Sequence, residues 1–203
     1  MDRIDHRMLF RPALVILLLA LSPGVVWAHT GVGSTQGFGY GFAHPLLGWD
    51  HLLAMVAVGL WAAQTGGRAL WALPAGFVAT MIVGGVLGAL GTGLPGVEAG
   101  ILASVLVLGG LIAAAARFPV GVGVVVVALF ALFHGHAHGA EMPAAVTGLA
   151  YGAGFALATA LLHAVGIAFT LSVQRVAKEG RTAAWVRLAG AAIGVAGLAL
   201  WLV

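Results

Sequence analysis

The chain has 203 residues, 62% of them hydrophobic and only 7% charged, with a mean hydropathy of +1.10. This composition excludes a soluble globular domain and points to a polytopic membrane protein. The pI near 10.2 comes from nine Lys/Arg set against six Asp/Glu and is no nucleic-acid signature, while the absence of cysteine removes disulfides, thiolate metal sites and thiol nucleophiles.

Residues 1–11 carry Arg3, Arg7 and Arg11, residues 13–21 are apolar, and Pro23-Gly24 precedes Val26-Trp27-Ala28. That layout predicts a cleavable N-terminal signal peptide over residues 1–28, leaving one transmembrane domain over residues 29–203. The apolar run is short for a span, which needs about 20 residues; an uncleaved anchor would add a seventh. Cleavage after Ala28 makes His29 the first residue, with an amine and an imidazole that form a candidate divalent-metal chelate. Residues 30–42, rich in Gly and aromatics, read as a short extracytoplasmic lead-in.

Six apolar segments follow, over 45–64, 69–90, 97–116, 120–134, 144 to about 173, and 183–203, each bounded by Gly, Pro or charge. The predicted fold class is all-α, a membrane helical bundle of six transmembrane helices, most long enough for a ~30 Å hydrocarbon core. The fourth is short unless it continues through the histidines that follow it. The 32 glycines predict close helix packing, since small residues let backbones approach in lipid. Arg68, Arg117, Arg175, Lys178, Arg181 and Arg187 all fall on one side of this topology and none on the other. The positive-inside pattern makes theirs the cytoplasmic side of a bacterial inner (cytoplasmic) membrane, with the mature N-terminus outside.

Two polar concentrations interrupt the apolar sequence. The first opens the stretch His44-Pro-Leu-Leu-Gly-Trp-Asp50-His51. With Pro45 at the first helical position, His44 falls near the N-cap, and His51 lies almost two turns on along the same face, about 10 Å away. One tight chelate from those two alone is then out of reach, so further ligands must come from other helices or the backbone. Met55, four residues beyond His51, offers a thioether one turn deeper. Ionisable groups in a span are costly and normally face a cavity, a partner or a transport path; the bland alternative is that they only lock helices together.

The second concentration is His134-Gly-His136-Ala-His138-Gly-Ala-Glu141. His134 and His138 have the i, i+4 spacing by which one helix gives two imidazoles to a metal, and Glu141 continues the face. Gly135 and Gly139 weaken the helix and are expected to let the chain bend round an ion, as discontinuous helices do in transporters. A surface His-rich loop is the alternative. The topology places both concentrations on the outer face. Glu98 starts the third span, as an extra ligand or, better, as a carboxylate favoured by the helix dipole. His163, deep in the fifth span and roughly 30 Å inward, is an exit-side ligand or a packing histidine.

Together the motifs resemble the HupE/UreJ family of nickel/cobalt permeases. The matching residues are His44-Pro45, Gly48, Asp50-His51, Met55, Gly59 and Trp61, then Phe133-His134-Gly135, Ala137-His138-Gly139 and Glu141, with the signal-like start ending in Ala28-His29. The resemblance spans essentially the whole chain. It implies inward movement of Ni²⁺, sometimes Co²⁺, for hydrogenase or urease maturation, with His44, Asp50, His51, His138 and Glu141 needed for transport; His136 stands where the family motif is not fixed.

The candidate metal residues are thus His44, Asp50, His51, His134, His138 and Glu141, with His29, Met55, His136, His163 and Glu98 behind them. Their imidazole and carboxylate donors suit Ni, Co, Zn and Cu alike. The expected partners are a divalent metal ion and the lipid bilayer, with no nucleic acid and no permanent cofactor. No phosphate-cradling GxxxxGK[ST] is present, so this chain is expected not to hydrolyse ATP and not to be an enzyme. An inside-negative potential contributes ~2.3 kcal/mol per charge per 100 mV, about 4.6 for a divalent ion. The rival is a membrane-embedded zinc hydrolase using the same cluster to activate water. A metal sensor that moves no ion is a third class.

Overall fold

The computed structural model describes residues 34–144, 146–176 and 181–202; the expected signal peptide and His29 lie outside them. Those residues form seven α-helices: α1 Ser34–Leu47, α2 Trp49–Thr65, α3 Ala69–Ala89, α4 Val97–Ala113, α5 Val120–Ala140, α6 Gly148–Val176 and α7 Arg181–Trp201. Four of them, α3, α5, α6 and most of α7, are long and apolar enough to cross a membrane, and α1 with α2 counts as a fifth only if the bent pair is one span. At 17 residues α4 reaches about 25 Å, less than the hydrocarbon core.

Three expectations need correction. Residues 34–47 are a helix rather than a lead-in, and Pro45 sits near its end instead of opening the next. Proline has no N–H to continue the hydrogen-bond ladder, and Gly48 follows in an extended conformation (φ −94°, ψ 120°), so the axis turns by 83° between the two helices. His44 and His51 therefore lie on different helices and not on one straight face. The fourth predicted span does not stop at His134 but runs unbroken to Ala140, so the chain does not bend at Gly135 or Gly139.

Those two glycines serve contact instead. A Cβ on Gly135 would land on the Met81 carbonyl, and one on Gly139 on the Gly85 carbonyl, while α5 backbone presses back on Gly84 and Gly88. The helices α3 and α5 thus run parallel at close backbone contact. Gly59 meets the His163 carbonyl and Gly166 the Val56 carbonyl, joining α2 to α6; Gly109 and Gly190 do the same for α4 and α7.

The packed centre holds Met55, Trp61, Leu73, Phe77, Met81, Leu108 and Ile112, whereas Val86, Val125, Leu129, Val165 and Val195 point outward, as hydrocarbon solvent permits. At the end away from the histidines the chain ends α4 at Ala113, with Ala115 left-handed (φ 53°). The carbonyls released there are taken by Trp61 Nε1 on Ala116 (3.0 Å), Gln64 Nε2 on Ile112 (3.0 Å) and Arg187 Nε on Ala113 (2.8 Å).

Candidate metal centre

The bend at Gly48 decides the geometry. It sets His44, at the end of α1, and His51, in the first turn of α2, on two sides of His138 from α5. The ring centroids are 4.5 Å apart for His44–His138 and 4.4 Å for His51–His138. His134, one turn earlier on α5, lies 4.7 Å from His51. Four imidazoles from three helices therefore touch in one file, each edge-on to the next.

Each ring is held by a different neighbour. At the rim, His44 Nε2 pairs with Glu141 Oε2 at 3.3 Å, both side chains still open to solvent (36% and 55%). Glu141 sits at the C-terminal cap of α5, so the pair ties α1 to the end of α5. Asp50 Oδ1 accepts the backbone N–H of His51 at 2.7 Å and lies 2.8 Å from its Nδ1. An ionised carboxylate only accepts, so Nδ1 carries the proton and Nε2 of the neutral ring keeps its lone pair. Nε2 is buried without a partner among the described residues. A carboxylate behind a histidine in this way is the usual support of a metal-ligating imidazole.

Ser104 of α4 does the same for His134. Its single proton goes to the Ile101 carbonyl at 2.6 Å, so at 2.9 Å from His134 Nε2 the hydroxyl can only accept. His134 is then protonated on Nε2 and bare on Nδ1, which has no partner among the described residues. His138, 2% exposed, has neither nitrogen paired there, and its ring lies 3.7 Å from that of Phe155 on α6. Buried polar atoms are rarely left this way without a functional or solvent explanation.

The remaining candidates separate. His136 points away from the file, its Nε2–H donating to the Thr92 carbonyl at 2.6 Å. Met55 lies in the apolar core. Glu98 is exposed in the first turn of α4, the place the dipole favours. His163 contacts Phe77 at 5.1 Å, and Phe77 in turn reaches His134 at 5.9 Å. Ser104, Phe77, Phe155 and Tyr151, whose ring lies 6.2 Å from that of His44, had no part in the sequence-based set. Ser104 alone carried a signal, as the sole hydroxyl in the apolar run of α4.

Among the described residues, no three of these side chains aim ligand atoms at one shared metal position. The rings are gathered but not closed into a chelate. Two approaches reach them. One is the polar rim at His44 and Glu141. The other is a crevice of about 480 Å³ between α3, α5 and α6, with His138 at its wall among Met81, Val86, Leu149, Phe155 and other mainly apolar groups. A hydrated cation would lose its water in the crevice without replacement, which is prohibitively costly; the rim is the favourable entry.

The family model described as HupE / UreJ protein matches residues 16–200. Protein HupE of Rhizobium leguminosarum bv. viciae is 46% identical over 178 residues, covering 88% of this chain and 91% of that relative. No solved structure matches.

Proposed function

The chain belongs to the HupE/UreJ family, and from that premise we propose that it is a permease carrying a divalent transition metal inward, Ni²⁺ first and Co²⁺ second, to supply hydrogenase or urease maturation. The observation that carries this reading is the meeting of His44, His51 and His138 from three helices at ring contact, with nitrogens on His51 and His138 that have no partner among the described residues. Imidazole and carboxylate donors match this metal class. A cluster that is assembled yet not closed favours transient over permanent binding.

The ion approaches Glu141 and His44 at the rim and sheds water there. The rings of His44, His51 and His138 turn to present nitrogens to it, with Asp50 holding His51 in the tautomer whose Nε2 can bind. His134, set by Ser104, takes the ion next. A helix broken beside the site, here at Gly48, is the device by which several transporter folds build and reshape ion sites. Transport is facilitated or secondary, drawn by an inside-negative potential worth about 4.6 kcal/mol per 100 mV for a divalent ion.

In this proposal the protein lies in the bacterial inner membrane with six spans, its signal peptide removed after Ala28. The histidine end then faces outward, and Arg68, Arg117, Arg175 and Arg187 face the cytoplasm. The zinc hydrolase considered from the sequence gains no support from the family.

Uptake of Ni²⁺, Co²⁺, Zn²⁺ and Cu²⁺ into proteoliposomes tests the reading, with wild type beside His51→Ala and Glu141→Ala. Saturable Ni²⁺ uptake lost in both variants is the expected result. Metal bound without flux under any imposed potential or pH gradient would overturn it.

A further inference from the structure

One buried histidine lies outside the file of four rings and has no part in the outer cluster. His163 lies about fifteen residues into α6, roughly 22 Å along the axis, and is 1% exposed. Both of its ring nitrogens are buried without a hydrogen-bond partner among the described residues. It sits in a helix apolar and long enough to cross a membrane. A doubly unpaired imidazole there is a costly choice over leucine or phenylalanine, and packing alone gives no reason for it.

Its surroundings have metal-binding character. The helices α3 and α6 meet in two rungs: Phe77 stands against His163, and one turn further out the Thr159 hydroxyl donates to the Met81 thioether at 3.5 Å. Thr159 and His163 share a face of α6 by their i, i+4 spacing, as do Phe77 and Met81 on α3. An imidazole, a thioether and a hydroxyl therefore border one helix contact. The backbone is fixed as well, because Gly59 of α2 packs directly on the His163 carbonyl. On the outer side the Phe77 ring touches both, 5.1 Å from His163 and 5.9 Å from His134.

We propose that His163 is an inner metal station, with the Met81 thioether one turn further out, which receives the ion from His134 when the Phe77 ring swings aside. This deepens the permease reading and rests on it. The outer cluster captures the ion and strips its water, while His163 gives the dehydrated ion a ligand part-way through the apolar core. Without that ligand the ion would leave His134 for hydrocarbon alone. The prediction is a defect in passage and not in capture.

The test compares wild type with His163→Ala, His163→Gln and His163→Cys, in detergent for Ni²⁺ binding and in proteoliposomes for Ni²⁺ flux. Expected in the Ala and Gln variants are flux lower by at least about tenfold, the scale on which loss of a metal-site residue acts, and continued capture by the outer cluster, with only the share of binding that His163 itself holds removed. His163→Cys creates the sole thiol in a chain without cysteine, and adding Cd²⁺ should give a thiolate–cadmium absorption band absent from wild type. Wild-type flux in the Ala or Gln variant overturns the proposal, as does a Cys variant that folds but shows no band. If the Ala variant fails to fold, the Gln and Cys variants carry the test. Should wild type bind Ni²⁺ and pass none, the permease reading fails by itself, and the Cd²⁺ band still reports whether an ion reaches position 163.

Discussion

The carboxylate of Asp50 lies 2.8 Å from Nδ1 of His51, its own neighbour in sequence, and so fixes which nitrogen of that ring is free. Adjacent residues on a helix point about 100° apart, so the pair forms only because Asp50 stands in the first turn of α2, where its side chain can fold back over the His51 N–H. Asp50 thus supports a ligand.

Replacing Asp50 by Asn tests that role. The amide can present N–H₂ as well as oxygen, so it no longer enforces the Nδ1–H tautomer. Loss of such a supporting carboxylate typically lowers metal affinity ~10–100-fold. Calorimetric titration with Ni²⁺ should show a drop of that order with little change in thermal stability. An unchanged affinity would count against the tautomer argument.

Ser104 makes the parallel case for His134. Ser104→Ala leaves a buried N–H without an acceptor, at a cost of about 1–3 kcal/mol, and should lower both the melting temperature and the Ni²⁺ transport rate. Ser104→Thr keeps the hydroxyl and should recover much of each. Equal behaviour of the Ala and Thr variants would show that the hydroxyl does not set the ring.

His136 and His138 are two residues apart in one motif, yet the structure gives them separate work. His136 ties the end of α5 to the Thr92 carbonyl, a bond that glutamine can also donate. His136→Gln is therefore expected to retain Ni²⁺ uptake near the wild-type rate, whereas His138→Gln should abolish it. Parallel uptake assays decide this, and equal losses would contradict the division.

The glycines of α5 give a prediction of a different kind. Gly135→Ala and Gly139→Ala each drive a methyl into an α3 carbonyl, and overpacking typically costs 1–3 kcal/mol. Both should melt earlier and lose uptake as α3 and α5 part. Gly121→Ala, whose methyl meets open space, should be tolerated. Similar melting of all three would argue against the close α3–α5 approach.

Much of this was legible in the sequence. Apolar length marked α3, α5, α6 and α7, and the placing of basic residues set both histidine motifs at one end of the bundle. His44, Asp50, His51, His134, His138 and Glu141 do come together. The helix before Gly48 was hidden because glycine and aromatic residues carry weak helical signal, and because Pro45 reads more naturally as a helix start than as the last turn of the helix before a bend. A straight helix then left His44 and His51 too far apart for one tight chelate of their own, when the 83° turn is what seats both against His138. Gly135 and Gly139 read locally as helix breakers; their use in close packing depends on α3, which local sequence does not reveal. The partners of His163 and Ser104 are likewise tertiary: the sequence marks His163 as an ionisable residue inside a span and Ser104 as the sole hydroxyl of its apolar run, but not what either touches.

The most direct measurement is the Ni K-edge X-ray absorption spectrum of the purified, Ni²⁺-loaded protein, recorded for wild type and His138→Ala. The account predicts imidazole scattering from His44, His51 and His138 in the wild-type spectrum and a clear reduction of it in the variant. A shell of oxygen ligands alone, identical in the two proteins, would contradict it.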